Sequence, residues 1–324
     1  MLYPLKFRPI LKSMLWGGSK LAAAGKKLPR NMAPGTPIGE SWEISGVEKN
    51  ISVVSNGFMK SNNLQEAIEI YMGELVGDPV YEKYGLEFPV LIKLIDAREI
   101  LSIQVHPGDE LAIKRHGTRG KTEMWYVIDH EPGAFIYVGF NRHVSHEEYL
   151  QAVASGKLAE LLEKYEVKKG DAYYIPAGTI HAIGKGILLA EIQETSEITY
   201  RIDDWGRTGA DGKLRELHIG EAFGAVDFTY REDFKRTVIP HAGTGRELVA
   251  SPYFTTNILW VDGKLARDYA ALDSFVAYIC TEGEAEIAWE GGTEKISALQ
   301  SILIPADIDE IRLSGKATIL EVYM

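Results

Sequence analysis

The sequence has little of several features that define large classes of protein. Its 324 residues include a single cysteine, Cys280, so no disulfide can form within the chain and a cluster of thiolate metal ligands is excluded. No segment approaches the roughly 18 consecutive apolar residues of a membrane-spanning helix, and the N-terminus has no apolar core of signal-peptide length. The net charge of −11 argues against a nucleic acid partner, because a phosphate backbone requires a basic surface. We therefore expect a cytoplasmic protein without nucleic acid or membrane partners.

What is present is typical of a folded protein built mainly from strands. Hydrophobic residues make up 45% of the chain and charged residues 25%, and short apolar runs alternate with Gly, Pro, Asp and Asn. Two segments differ, at approximately 57–78 and 145–165, where apolar residues recur at helical spacing. Asn63 and Ser145 are suited to cap the starts of these helices, and Gly156 is expected to split the second one.

The C-terminal part of the chain echoes the part before it. A polar segment after residue 228 resembles a connection, so we predict a domain over 1–240 that carries the helices and a second over 245–324. Two pairs of segments resemble each other: 172–183 with 301–311, which is one residue shorter, and 125–136 with 276–287. This indicates an internal repeat of one β-barrel unit.

The strand pattern of residues 101–112 brings together two polar side chains that can bind a metal. Leu101, Ile103 and Val105 alternate with polar residues, so Gln104 and His106 are expected to project from the same strand face. An amide oxygen and an imidazole then converge. The alternative is a half-buried strand with an ordinary polar face.

Two further segments carry candidate ligands. Glu123 shares a predicted strand face with Lys121 and Trp125, and the Pro and Gly of the turn at 176–178 direct His181 back toward the interior. Taken alone, each has a simpler interpretation, as a solvated ion pair and as a structural histidine.

The spacing of these residues resembles the cupins, whose second motif has Gly, Pro, Gly and His at the intervals of Gly170, Pro176, Gly178 and His181. The terminal Asn of that motif is Lys185 here. The first motif departs further, since the usual His-x-His is Gln-x-His with a longer gap before the glutamate. The chain also contains WGG at 16–18, GESWEIS at 39–45 and ETSEITYRIDDWGR at 194–207. Together with the altered first motif, these segments resemble the class I mannose-6-phosphate isomerases, which are the zinc-dependent branch of the cupins. The length of the chain resembles the short bacterial form of that family.

This resemblance implies two cupin-type jelly-roll barrels with a small helical insertion in the first. It implies one zinc ion held by Gln104, His106, Glu123 and His181. Two imidazoles, an amide and a carboxylate leave the ion with positive charge, and other divalent metals suit the same ligands. In the repeat Glu123 falls opposite Ser274, and the ligand histidine of the first copy falls opposite an acidic residue. Only the first barrel is therefore expected to hold metal.

The resemblance also implies that Arg201 and Lys121 belong to the active site. If a strand runs from Ile198 to Arg201, Glu197 shares the face of the arginine and becomes a candidate acid-base partner. The corresponding alternatives are an ion pair that braces the barrel and a solvated lysine.

Trp16 and Ser41 are candidates to line a substrate pocket, although core packing is the commoner role of a buried tryptophan. The remaining histidines, at positions 116, 130, 143, 146, 218 and 241, are expected at the surface.

The function implied is interconversion of mannose 6-phosphate and fructose 6-phosphate through an enediolate, with a small sugar phosphate as the partner. Two alternatives stay open: another metal-dependent cupin enzyme such as an oxygenase, and a non-catalytic sugar-binding cupin. For the oligomeric state, a monomer or weak dimer is expected.

Overall fold

The computed structural model describes residues 2–26, 32–33, 35–209 and 212–324. Its strands are β1 (Phe7–Arg8), β2 (Ile10–Lys12), β3 (Glu40–Ile44), β4 (Val53–Val54), β5 (Val90–Ala97), β6 (Ile103–Val105), β7 (Glu123–His130), β8 (Phe135–Phe140), β9 (Leu162–Glu166), β10 (Ala172–Ile175), β11 (His181–Ile183), β12 (Ile187–Glu194), β13 (Tyr200–Asp203), β14 (Lys235–Arg236), β15 (Thr244–Ala250), β16 (Thr255–Asp268), β17 (Val276–Trp289), β18 (Gly292–Ser297), β19 (Ser301–Ile304) and β20 (Glu310–Tyr323). Its helices are α1 (Lys20–Ala23), α2 (Leu64–Val76), α3 (Asp78–Tyr84), α4 (Asp109–His116), α5 (His146–Ala154) and α6 (Ile219–Phe223), with a 3-10 helix at Leu158–Leu161. The prediction of a mainly β protein is confirmed.

The first predicted helix forms inside the expected segment. The Asn63 side chain accepts from the Glu66 backbone N–H while the Glu66 carboxylate accepts from the Asn63 N–H, so the reciprocal cap starts α2 at Leu64. Residues 57–63 lie outside the helix.

The second helical prediction is only partly correct. Ser145 caps the start of α5 as expected. Gly156 lies just after the end of this helix and has a positive φ of 68°, which is typical of a glycine that terminates a helix. The 3-10 helix follows, but residues from Leu162 onward form β9, so the prediction of helix to 165 was wrong there. Tyr165 pairs with Ile136 of β8, and this ladder prevails over the helical spacing of the apolar residues.

The chain divides into two compact units. One comprises Met1–Ile10, of which the structure describes residues from 2 onward, with Trp42–Lys93 and Thr237–Met324; the other comprises Leu11–Ser41 and Leu94–Arg236. Residues 42–93, including α2 and α3, thus group with the C-terminal residues. The predicted division at 240–245 separates two continuous segments of the chain, whereas each of these units contains more than one segment. It therefore stays a prediction.

The unit that ends at Arg236 contains the predicted metal ligands and is built on two sheets. A seven-stranded sheet has the order β14-β10-β7-β12-β5-β3-β2, and a five-stranded sheet has the order β13-β6-β11-β8-β9. Side chains of both sheets, among them Trp125, Ile136, Val138 and Leu189, form one apolar cluster. The two sheets therefore share a core, and all eight residues of β12 are buried.

The other unit contains a six-stranded sheet in the order β15-β16-β20-β17-β18, with β19 paired to β17. The segments of the predicted repeat occupy comparable places in the two units. β10 pairs antiparallel with β7, and β19 pairs antiparallel with β17; each of β10 and β19 ends directly before a proline, Pro176 or Pro305. As for membranes, none of the helices described is both long enough and apolar enough to span one.

Candidate metal centre and active site

The five-stranded sheet aligns three of the predicted site residues in one row. His181 of β11 lies opposite Gln104 of β6, and Gln104 lies opposite Arg201 of β13. Residues directly opposite one another in a sheet project from the same face. An amide, an imidazole and a guanidinium therefore leave the sheet side by side.

The seven-stranded sheet contributes the carboxylate. Glu123 begins β7, two residues before Trp125, so the two side chains share a face. Trp125 lies opposite Glu191 of β12, which adds a second carboxylate to that face. The indole Nε1–H of Trp125 donates to Glu191 at 3.1 Å.

His106, Glu123 and His181 converge into a group that can hold a metal ion. One ligand atom from each lies within 4.8 Å of the others, and all three residues are buried. The Nε2 atoms of His106 and His181 lie 3.5 Å and 3.4 Å from the two carboxylate oxygens of Glu123. Across the described parts of the chain, this is the one such group of His, Cys, Asp or Glu.

Backbone carbonyls fix which nitrogen each histidine presents. The Nδ1 of His106 lies 2.9 Å from the Ile198 carbonyl, and the Nδ1 of His181 lies 2.8 Å from the Thr179 carbonyl. A carbonyl can only accept, so both Nδ1 atoms carry a proton, and the Nε2 atoms are the ones that face the centre. The ligand set therefore suits a cation.

The Gln104 amide completes this set. It lies 3.2 Å from the Nε2 of His181, and a 180° rotation of the amide exchanges its oxygen and nitrogen at that point. The predicted convergence of Gln104, His106, Glu123 and His181 is observed, while their role as ligands stays a prediction.

The electrostatic environment keeps the histidine of β11 neutral. Burial, followed by the positive charge of Lys121, lowers the pKa of His181 to about 4. A neutral imidazole is the form that binds metal, so the site is ready to accept a cation near neutral pH.

Lys121 lies within the same group and is only 4% exposed. Its ammonium donates a short hydrogen bond to Glu123, lies 3.1 Å from the Nε2 of His106 and 3.7 Å from the Glu191 carboxylate. The solvated surface lysine considered as the alternative is therefore wrong.

Sequence reasoning missed Glu191. It lies in ILLAEIQE, a strand buried along its whole length, so the alternation that reveals an inward polar residue is absent. The available signal is the presence of ionisable residues in an otherwise apolar strand, since carboxylates are rarely buried without partners.

Arg201 is flanked by other charges. Burial and the nearby charge of Arg215 lower the pKa of Arg201, while Asp204 opposes the shift. Its Nη1 donates to the Glu216 carbonyl at 2.8 Å, and its Nε is buried without a hydrogen-bond partner among the described residues. The backbone N–H of Arg201 donates to His218 at 3.1 Å, so the half-buried His218 is no simple surface histidine.

Glu197 does not occupy the strand position assumed for it. β13 begins at Tyr200, so residues 196–199 form a connection, and the Glu197 side chain is exposed. The assumed strand from Ile198 was wrong, because ladder pairing of β13 with β6 starts only where Tyr200 meets Val105. The acid-base role of Glu197 stays a prediction.

The two predicted pocket residues are both buried. Trp16 is 5% exposed and packs in the apolar cluster with Ile95 and Trp125, and Ser41 on β3 is fully buried. Their predicted contact with substrate is untested by this packing.

Comparison with known proteins agrees with this geometry. Residues 5–139 match the family described as phosphomannose isomerase type I, catalytic domain, and residues 244–324 match the cupin domain of mannose-6-phosphate isomerase. A mannose-6-phosphate isomerase of Bacillus subtilis, ManA, is 42% identical over 69% of this chain and 68% of its own length. A probable mannose-6-phosphate isomerase of the same organism, GmuF, is 33% identical over 97% of each chain.

A solved structure extends the likeness to the whole fold. The crystal structure of a mannose 6-phosphate isomerase from Bacillus subtilis superimposes with a TM-score of 0.89 over the full length of both chains, at 30% identity. The fold and site thus define a mainly β, cupin-containing protein of the sugar phosphate isomerase class. More specifically, the chain belongs to the type I mannose-6-phosphate isomerase family, which confirms the resemblance inferred from the sequence.

Proposed function

We propose that this protein interconverts mannose 6-phosphate and fructose 6-phosphate through an enediolate at the His106, Glu123 and His181 site. One observation carries the proposal: two imidazoles, a carboxylate and a buried ammonium converge in a chain that belongs to the mannose-6-phosphate isomerase family. The reaction moves a proton between C1 and C2 and consumes no other reactant, so a site without a second cofactor suffices.

Zinc is the metal we propose for this ligand set. Gln104, His106, Glu123 and His181 would hold the ion through two nitrogens and two oxygens, a combination that zinc accepts and that several other divalent metals share. When bound, the metal supplies positive charge that stabilises negative charge developing on a sugar oxygen.

Lys121 is the group we assign to work on the sugar itself. The isomerisation moves one proton from C2 of the open-chain aldose to C1, and a second proton from the C2 hydroxyl to the C1 oxygen. A buried ammonium hydrogen-bonded to a carboxylate can donate to an oxygen that gains negative charge. Lys121 then regains a proton from the C2 hydroxyl, and Glu191, whose carboxylate lies 3.7 Å from the Lys121 ammonium, can take the proton from C2 and deliver it to C1.

Arg201 is assigned to the anionic part of the substrate. It is permanently charged, it lies beside Gln104 in the sheet, and Arg207 and Arg215 add positive charge around it. A guanidinium in this position favours a phosphate or an enediolate over neutral sugars. We also keep Trp16 and Ser41 as proposed substrate contacts.

The decisive test is a coupled assay that follows formation of fructose 6-phosphate from mannose 6-phosphate. We expect turnover by the purified protein, loss of turnover with EDTA and recovery on adding zinc. Oxygen uptake instead of isomerisation would indicate a metal-dependent oxygenase, and sugar phosphate binding without turnover by metal-replete protein would indicate a non-catalytic cupin. Either result contradicts the proposal.

A matched pair of variants distinguishes the two candidate acid-base carboxylates. Glu191→Gln is expected to lower kcat by about 10²-fold, because Glu191 is buried against Lys121 and general acid-base groups contribute on this order. Glu197→Gln is expected to lower kcat less, because Glu197 is exposed. The measurement is kcat at saturating substrate, with Glu69→Gln on the exposed face of α2 as control. The reverse ranking would instead favour Glu197, as the sequence argument predicts.

We further propose a cytoplasmic location, a monomer or weak dimer, and an architecture of two jelly-roll barrels divided near residues 240–245. The paired strands of the repeat and the cupin domain matched at 244–324 support this architecture. A sugar phosphate substrate is consistent with a chain of net charge −11 only if cations gather locally, as they do around Arg201.

A further inference from the structure

The backbone that carries Lys121 is held by an unusual set of acceptors. In residues 120–122, which we call the lysine segment, the Gly120 N–H donates to Asp109 at 2.7 Å and the Lys121 N–H donates to the Pro107 carbonyl at 3.1 Å. The Thr122 N–H donates to Glu194 at 2.7 Å. Carboxyl groups thus grip the backbone on both sides of Lys121.

The two carboxyl groups are also bonded to each other. The side chains of Asp109 and Glu194 share a hydrogen bond, and Glu194 is only 4% exposed. Burial, and then the charge of Asp109, raises the pKa of Glu194 to about 7. When one carboxyl group is protonated, it can donate a hydrogen bond to the other. Asp109 and Glu194 then form a linked pair that binds the backbone of the lysine segment on both sides, and we call this pair the clamp.

Close packing makes this clamp sensitive to small changes. A side-chain carbon added at Gly120 would lie 2.6 Å from the Asp109 backbone nitrogen and 2.7 Å from the Gly108 carbonyl carbon. The Glu194 N–H also returns a bond to the Thr122 carbonyl at 3.1 Å. The close contacts around Gly120 and the backbone bonds of Thr122 therefore restrict movement of the lysine segment, which directly precedes β7.

We propose that Glu194 is a positioning residue for isomerisation, which acts through Thr122 and Asp109 to hold the Lys121 ammonium beside Glu123 and Glu191. The inference rests on the proposed function. Glu194 makes no contact with the metal-binding atoms in the hydrogen bonds and ion pairs described, so its effect reaches the site through the backbone.

Two substitutions separate positioning from simple loss of stability. Glu194→Ala removes both bonds and is expected to lower kcat by about 10- to 100-fold, in the range of residues that orient an active group, with KM and bound metal nearly unchanged. Glu194→Gln is expected to retain most of kcat, because its amide oxygen can accept from Thr122 while its N–H donates to Asp109. Glu69→Ala, on the exposed face of α2, is the control.

The measurements are kcat, KM, metal content and the thermal midpoint of each variant. If the wild type is active and Glu194→Ala has an unchanged kcat, the positioning role is wrong but the proposed function stands. The same conclusion follows if the kcat of Glu194→Gln is as low as that of Glu194→Ala. An inactive wild type overturns the proposed function and this inference with it. If Glu194→Ala fails to fold, Asp109→Ala, which opens the other half of the clamp, decides by the same split between kcat and KM.

Discussion

Replacing His181 with alanine is expected to abolish stoichiometric metal binding and to lower kcat by about 10³-fold or more. His181 is fully buried, its Nδ1–H is committed to the Thr179 carbonyl, and its Nε2 lies 3.4 Å from Glu123. Among the described residues, His106 is the one other histidine of the ligand group, and a three-ligand remnant binds a divalent ion much more weakly. Both losses should therefore appear together.

The measurement is metal content after dialysis, combined with the coupled assay. His241→Ala is the control, because His241 is exposed and belongs to the compact unit without the ligand group. Removing a buried ring also leaves a cavity, so the thermal midpoints of wild type and variant should be compared in EDTA to isolate packing from metal binding. Full metal content with full activity in His181→Ala would contradict the proposed ligand set.

Local patterns place the members of the ligand group in the sequence, while their assignment as one ligand set came from the resemblance to the isomerase family. Gln104 and His106 follow from the alternation of one short strand, and His181 follows from a proline and a glycine that shape the preceding turn. Local patterns of this kind can be recognised in a single sequence. The observed convergence of His106, Glu123 and His181 agrees with them.

What could not be predicted depends on pairing between distant strands. Glu191 joins the site because β12 meets β7 in one register, which places it opposite Trp125, 66 residues earlier in the chain. Pairing with other distant strands also sets the start of β13 at Tyr200 and places residues 162–165, which were predicted as helix, in strand β9. Ladder register depends on the tertiary partner, so local propensity does not specify it.

The second large effect is expected for Lys121→Met, which keeps the length of the side chain and removes its charge. The Lys121 ammonium donates to Glu123 and lies 3.1 Å from the Nε2 of His106, so it uses the same lone pairs that a metal ion requires. Two cations cannot be bound by the same lone pairs, and removing one favours the other. The variant should therefore retain its metal, or bind it more tightly.

Activity should nevertheless fall, because the proton donor is lost. We expect kcat to decrease by about 10²- to 10⁴-fold in Lys121→Met, the range of general acid-base groups, while metal content measured by chelator competition stays at or above the wild-type level. Lys185→Met is the matched control, since Lys185 is exposed. Joint loss of metal and activity would show that Lys121 assembles the metal site instead of acting on the sugar. Because His181→Ala loses both properties and Lys121→Met should lose only one, the two variants together separate binding of the metal from transfer of the proton.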